Sequence, residues 1–190
     1  MRFDACAEFA YGQRKRHWLA QHCWADRPAE ISCELFGHVT DLTVQRVISA
    51  LDRAPGAPVT LTIQSSGGSP VAAFTLFERL RAHAAPVTTM VQGRCFSAAV
   101  MVALAGDSRS CAPSATYMLH NVSLELGWST ARSCRAGADI LDEMDQAFYA
   151  VVASRAGFYP RWQLAQDMSG ERILDSEAAR LRGLTHVIVD

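Results

Sequence analysis

Strand-like segments alternate with helix-like segments from Pro28 to the end of the chain, and this alternation constrains the fold more than any other feature. Apolar residues recur at every second position in the first kind and at helical spacing in the second. This order predicts an α/β domain of parallel strands joined by crossover helices. The predicted strands lie near 31–37, 59–63, 87–92, 109–112 and 116–120, with a short segment at 173–174 and a final strand at the end. The predicted helices begin at a cap at Asp41 or Thr43, after a tight turn at 65–68, at Ser97, near Thr130, at Pro160 and at Ser176.

The first 27 residues differ from the rest, because they are basic, rich in His and Trp, and without a period of two. Residues 14–24 are predicted to form a short helix, closed just before Pro28. His17, His22 and Cys23 match the spacing of no common metal site, so no metal is predicted. We therefore expect an N-terminal segment at 1–27 and a single domain at 28–190.

Composition excludes several classes of protein. The 190 residues carry a net charge of −1 and only 19% charged side chains, so no nucleic-acid or membrane-binding patch is predicted. The longest apolar run, 98–106, is far shorter than the about 20 residues that span a bilayer. No signal peptide is predicted at the N-terminus.

The six cysteines include no C-x-x-C, so we expect reduced thiols and a cytoplasmic protein. The 49% hydrophobic content indicates subunit interfaces.

Two segments place small residues directly after a predicted strand. Gly67 and Gly68 can expose backbone N–H groups to an oxyanion or a phosphate, although an ordinary βα turn has the same sequence. Ser97 opens a buried apolar helix whose N-terminus stabilises negative charge, and the Ala98 N–H can donate to an oxyanion. A simple N-cap serine is the alternative. Ala99 excludes the G-x-S-x-G elbow.

His120 ends an apolar strand, at the edge where open α/β sheets place their active sites. A histidine there is also a common rim residue of a core. Three acidic residues follow near the C-terminus: Asp167, Glu171 and Asp175. Acids in surface turns are usually solvated, and Asp175 is expected near the start of a helix, beside the cap.

Together these segments resemble a known family. The run SSGGSPVAAFTLFERLRAHAAPVTTMVQGRCFSAAV, followed by YMLHN and by ERILDSEAARLRGL, is similar to the proteolytic subunit of the Clp protease, ClpP, over about residues 30–190. The resemblance implies a ClpP/crotonase-like fold, in which a superhelical β-α repeat carries a long protruding "handle" helix. It also implies a serine-type endopeptidase that hydrolyses peptides or unfolded protein without a cofactor.

The resemblance assigns roles to individual residues. Ser97 falls on the nucleophile and His120 on the general base, whereas Gly68 and Ala98 fall on the backbone donors of the oxyanion hole. The family's third triad member is an aspartate, and this chain has Glu171 at that position. Glutamate is one methylene longer, but other Ser-His enzymes accept it in this role.

Asp167 is the substitute candidate for the third acid. A Ser-Lys dyad, used by serine peptidases of related fold, is not expected, because the only lysine is Lys15, in the unmatched N-terminal segment. The same lysine lies outside any Gly-Lys-[Ser/Thr] sequence, so the chain has no P-loop.

The resemblance also implies partners. ClpP subunits form heptameric rings, two of which stack, and dock an ATPase through an aromatic-lined pocket; the segment 1–27 would then face a pore. This chain has Thr60 and Thr62 where that pocket takes aromatic residues, so a conventional Clp ATPase partner is not expected. The sequence after the base, Asn121-Val122, also departs from the usual Gln-Pro.

Two alternatives to the peptidase remain open. The first is a non-catalytic ring subunit or interaction protein on the same fold, favoured by the change to Glu171 and by the missing aromatic residues. The second is a crotonase-type acyl-CoA enzyme, which uses two backbone donors at similar places. Crotonases are generally longer and need neither Ser97 nor His120, so the sequence favours the peptidase.

Overall fold

The computed structural model describes residues 29–125 and 127–189, and it confirms the predicted α/β class. Five parallel strands are hydrogen-bonded in the order β1-β2-β3-β4-β7; β5 also pairs in parallel with β3, and β6 pairs antiparallel with β5. The predicted N-terminal helix and the candidate ligands His17, His22 and Cys23 lie outside the described residues.

The elements follow the predicted order. The strands are β1 (Ile31–Val39), β2 (Val59–Gly68), β3 (Val87–Phe96), β4 (Ser108–Cys111), β5 (Thr116–Met118), β6 (Ile173–Asp175) and β7 (Val187–Ile188). The helices are α1 (Asp41–Arg53), α2 (Pro70–Ala82), α3 (Ala98–Leu104), α4 (Ala131–Ala156), α5 (Arg161–Ser169) and α6 (Ser176–Leu181).

The segment at 65–68, predicted as a tight turn, is instead the end of β2. The two glycines continue the parallel pairing with β1, where His38 faces Gly67 and Val39 faces Gly68. The glycines allow this with positive φ angles of 91° and 147°, which side chains rarely adopt. The change of direction falls at Ser69, whose hydroxyl accepts the Ala72 N–H and caps α2.

The cap of α1 also differs from prediction. Neither Asp41 nor Thr43 occupies the N-cap; Thr40 does, and its hydroxyl accepts the Thr43 N–H while the Thr43 hydroxyl accepts the Thr40 N–H. This reciprocal pair satisfies two backbone donors. Asp41 lies in the first turn, where its charge favours the positive helix end. At the other end of the chain, Asp175 is itself the cap of α6.

Helix α4 has two unlike halves. Its C-terminal half packs on the core through Phe148, Val151, Val152 and Ala156. Before Asp145, Gly137 is the one buried residue of the helix, and the Ile140 side chain is 48% exposed. The first half of α4 therefore projects from the domain, as expected of a handle helix.

Helix α3 crosses the middle of the domain and is buried along its whole length, as its continuous apolar sequence predicts. It packs on α2, α4 and the strands β2 and β3. Within the described residues, no helix is both long and apolar enough to cross a membrane.

Candidate active site

Ser97 occupies a single-residue junction between β3 and α3. Its backbone has a φ of 56° and a ψ of −128°, a conformation that costs a non-glycine residue energy and is found mostly at functional positions. The Ser97 N–H donates to the carbonyl of Met118 at 2.7 Å, which ties the junction to β5. The hydroxyl makes no capping bond to α3, so the N-cap interpretation of Ser97 does not account for its side chain.

The Ser97 hydroxyl instead faces His120. Its Oγ atom lies 2.7 Å from the Nε2 atom of the imidazole, within hydrogen-bonding distance. In the tautomer that carries its proton on Nδ1, Nε2 accepts the serine proton. This is the geometry in which a base activates a serine hydroxyl. Because β3 pairs with β5, the chain brings together two residues 23 positions apart.

The glycine pair lies beside this contact. A Cβ atom at Gly67 would come within 2.7 Å of both the Ser97 Cβ atom and the Phe96 carbonyl oxygen, so this position requires glycine. Gly68 is packed in the same way against β1, where a Cβ atom would lie 2.4 Å from the carbonyl oxygen of Val39. The end of β2 therefore approaches the serine junction backbone to backbone.

A small cavity of about 70 Å³ opens between these elements. Its wall includes Ser97, His120 and both predicted oxyanion donors, Gly68 and Ala98. Ala98 is the first residue of α3, where backbone N–H groups lack an acceptor within the helix. The rest of the wall is mostly apolar and comes from α2, α3, α4 and the segment after the histidine: Pro70, Phe74, Met101, Val122, Ser123, Met144 and Phe148.

Glu171 lies near this site through the pairing of β5 with β6. The antiparallel register joins Tyr117 to Leu174 and Met118 to Ile173. Strand β6 begins at Ile173, so Glu171 lies in the turn two residues before the paired segment. Glu171 has a φ of 48°, and its exposed carboxylate makes no hydrogen bond or ion pair with any described residue. Within the described residues, no contact joins the predicted third acid to His120.

Asp167 has other partners. Its carboxylate is 2% exposed and accepts hydrogen bonds from the Tyr159 hydroxyl at 2.8 Å and the Arg182 Nε at 3.0 Å. Arg172 adds an ion pair at 3.5 Å. These contacts join α5 to the segment that follows α6. Asp167, the substitute candidate for the third acid, therefore belongs to a structural cluster and does not lie beside His120.

Asp145 is a carboxylate that sequence reasoning missed. It lies on α4 and is 9% exposed, and one of its oxygens accepts the Val122 N–H at 2.7 Å. Burial raises the pKa of Asp145, whereas the Val122 hydrogen bond and the charge of His120 lower it. The sequence did contain a signal for Asp145, because this residue falls on the inward side of a long amphipathic helix. Acids are rarely buried without a partner, so an acid at such a position indicates a specific contact.

No group of three or more His, Cys, Asp or Glu side chains within 29–125 and 127–189 is arranged to hold a metal ion. The described cysteines Cys33, Cys95 and Cys111 are buried and Cys134 is exposed, all as free thiols. Burial raises the pKa of the Cys33 and Cys111 thiols, which makes them poor nucleophiles.

The sequence profile of the Clp protease family matches residues 25–190, nearly the whole chain. The chain belongs to the Clp protease family. Subunit 3 of the ATP-dependent Clp protease of Nocardia farcinica, a proteolytic subunit, is 27% identical over 147 residues, which are 76% of this chain and 65% of that relative. The protein of the same name from Streptomyces coelicolor is also 27% identical, over 75% of this chain and 65% of its own length. The matched part of the chain thus spans about 65% of these two relatives.

A solved structure of a ClpP1 mutant from Listeria monocytogenes has the same fold as this member of the Clp protease family. The two align with a TM-score of 0.76 over 84% of this chain and 91% of the other, at 20% sequence identity. This agreement confirms the predicted ClpP-like architecture, and the long helix α4 is consistent with the predicted handle helix.

Proposed function

We propose that this protein is a serine endopeptidase subunit that hydrolyses peptide bonds in peptides or unfolded protein. The observation that carries the proposal is the 2.7 Å contact between Ser97 Oγ and His120 Nε2, located at the buried N-terminus of α3. The names of the relatives, all proteolytic subunits of Clp proteases, support the same activity.

The proposed reaction follows from the position of each group. His120 takes the proton of Ser97 as Oγ attacks the peptide carbonyl carbon, and the C–O bond forms as the carbonyl becomes an oxyanion. The N–H groups of Gly68 and Ala98 stabilise that oxyanion. His120 then gives its proton to the leaving amine, and water releases the acyl group by the same route. Glu171 is assigned to hold the histidine tautomer and to stabilise the imidazolium.

The surface beside the site suits an extended apolar substrate. A groove of about 500 Å³ runs between α2 and α4, and its wall is mostly apolar but also includes charged residues: Val71, Phe74, Thr75, Glu78, Arg79, Glu143, Met144 and Ala147. It shares Phe74 and Met144 with the cavity at Ser97, so the two are adjacent. Pockets of this size and lining are typical of sites that enclose apolar groups.

Labelling with a fluorophosphonate probe tests the proposal. We expect Ser97 of the wild-type protein to displace fluoride from the probe, so that the protein gains the mass of one probe less HF, and Ser97→Ala and His120→Ala to remain unlabelled. Ser123→Ala is the matched control, because Ser123 lines the same cavity and has no assigned role. Labelling that persists in Ser97→Ala, or a wild type that never reacts, would overturn the proposal.

The proposal includes a homo-oligomer, a heptameric ring or stacked rings. The projecting half of α4 and the exposed apolar side chains Trp128, Phe158 and Trp162 support subunit contacts. A conventional Clp ATPase is not part of the proposal, since Thr60 and Thr62 offer no aromatic anchors. Native mass spectrometry, with hydrolysis of a folded protein measured with and without a Clp ATPase, tests both points.

A non-catalytic ring subunit is the second candidate, because the Glu171 carboxylate makes no described contact with His120. Hydrolysis of a fluorogenic peptide by the purified protein alone, absent in Ser97→Ala, would exclude this candidate.

A further inference from the structure

A carboxylate on the handle helix reaches the segment that leaves the catalytic histidine. Asp145 is buried, and its Oδ1 accepts the backbone N–H of Val122 at 2.7 Å. Val122 is only two residues beyond His120 and is half-buried, while Asn121 and Ser123 on either side are exposed. This bond therefore fixes the chain direction just after the histidine, in a stretch with few other anchors.

The same carboxylate interacts with the histidine electrostatically. The charge of His120 lowers the pKa of Asp145 and so favours its ionised form. The other groups that interact with Asp145 are Asp142 and Tyr149, both on α4. Among these three, His120 is the group that can carry a positive charge.

We propose that Asp145 is a positioning residue for His120. It orients the imidazole toward Ser97 through the hydrogen bond to Val122, and its negative charge stabilises the imidazolium that forms when Ser97 gives up its proton. Asp145 touches neither the substrate nor the reacting atoms. This inference rests on the proposed serine peptidase and adds to Glu171 a second carboxylate, supplied by a different element.

Two variants separate the charge from the hydrogen bond. Asp145→Asn removes the charge but keeps an oxygen that can accept the Val122 N–H, whereas Asp145→Ala removes both. We expect the second-order rate of fluorophosphonate labelling at pH 7 to fall about fivefold to tenfold in Asp145→Asn, and further in Asp145→Ala. Asp142→Asn removes an exposed carboxylate one helical turn away and is the matched control, with a wild-type rate expected.

The pH profile of labelling distinguishes positioning from a structural role. Because the proposal assigns the charge of Asp145 to stabilising the imidazolium, we expect the acidic limb of the profile to move to lower pH in Asp145→Asn and to stay in place in Asp142→Asn. Thermal unfolding checks that each variant is folded.

The outcomes separate this inference from the proposed function. If the wild type is labelled and Asp145→Asn has the same labelling rate and the same pH profile, the inference is overturned but the proposed function is not. A slower rate with an unmoved acidic limb also overturns it, because a structural defect has that effect. A wild type that is not labelled, or labelling that persists in Ser97→Ala, overturns the proposed function and the inference with it.

Discussion

Gly67 and Ser97 are in contact so closely that no side chain fits between them. A Cβ atom at Gly67 would lie 2.7 Å from the Ser97 Cβ atom, and real Cβ atoms do not come this near to other carbon atoms. The strand that carries Gly68 and the junction that carries Ser97 are therefore held against each other by backbone contact. This contact relates the predicted nucleophile to the predicted oxyanion donor.

The Gly67→Ala substitution should damage both stability and the site. The φ of 91° and the collision with Ser97 together should lower the free energy of unfolding by about 2–4 kcal/mol, with labelling of Ser97 lost or much slower. Gly37→Ala is the control, because Gly37 has a φ of 81° but nothing within 4 Å of its Cβ position. It should cost about 1 kcal/mol. Equal losses in urea unfolding of the two variants would show that the contact with Ser97 is unimportant.

The Glu171→Gln substitution should act on catalysis and not on folding. If the carboxylate serves His120, labelling and peptide hydrolysis should slow by about 10²–10⁴-fold, as in other triads that lose the acid. The free energy of unfolding should change by less than about 0.5 kcal/mol, because the side chain is exposed and makes no described contact. Rates equal to those of the wild type would remove Glu171 from the site.

The Asp167→Asn substitution should show the opposite pattern. It leaves Arg182, whose side chain is 11% exposed, without its anionic partner, and we expect about 3 kcal/mol of destabilisation in urea unfolding. Labelling of the folded fraction should keep its wild-type rate. Glu177→Gln, in the exposed pair with Arg180, is the control and should cost less than about 0.5 kcal/mol. A catalytic defect in folded Asp167→Asn would restore it as a candidate third acid.

Asp145 should make stability depend on pH. Burial raises its pKa above the ordinary value of 3.8, so the folded state holds this proton more tightly than the unfolded state does. The contribution of this group to stability is therefore greatest at low pH and is lost as the pH rises through the raised pKa. The stability of Asp145→Asn relative to the wild type should increase as the pH rises above about 4 and level off once Asp145 is ionised in the folded protein. Urea unfolding across this range tests it, and a constant or decreasing difference would contradict it.

Much of this architecture follows from local patterns. The alternation of strands and helices, the buried helix α3 and the long helix α4 all come from hydrophobic periodicity, which depends on neighbouring residues alone. The position of Ser97 before an apolar helix, and of His120 after a strand, could be read in the same way. Boundaries were less well predicted, because Thr40 rather than Asp41 caps α1 and β2 continues through Gly68.

Contacts between residues distant in the chain were beyond local patterns. Three acids near the C-terminus looked alike in the sequence, yet folding buries Asp167 among Tyr159 and two arginines, makes Asp175 a helix cap and leaves Glu171 exposed in the turn before β6.

The periodicity of the chain thus determined which elements form and in what order, because a helix or strand needs only its own spacing of apolar side chains. The tertiary structure alone decided which groups meet. The pairing of β3 with β5 brings Ser97 and His120 together, and the packing of α4 on the core carries Asp145 to Val122. Such meetings depend on pairing and packing across tens of residues, which no local spacing encodes.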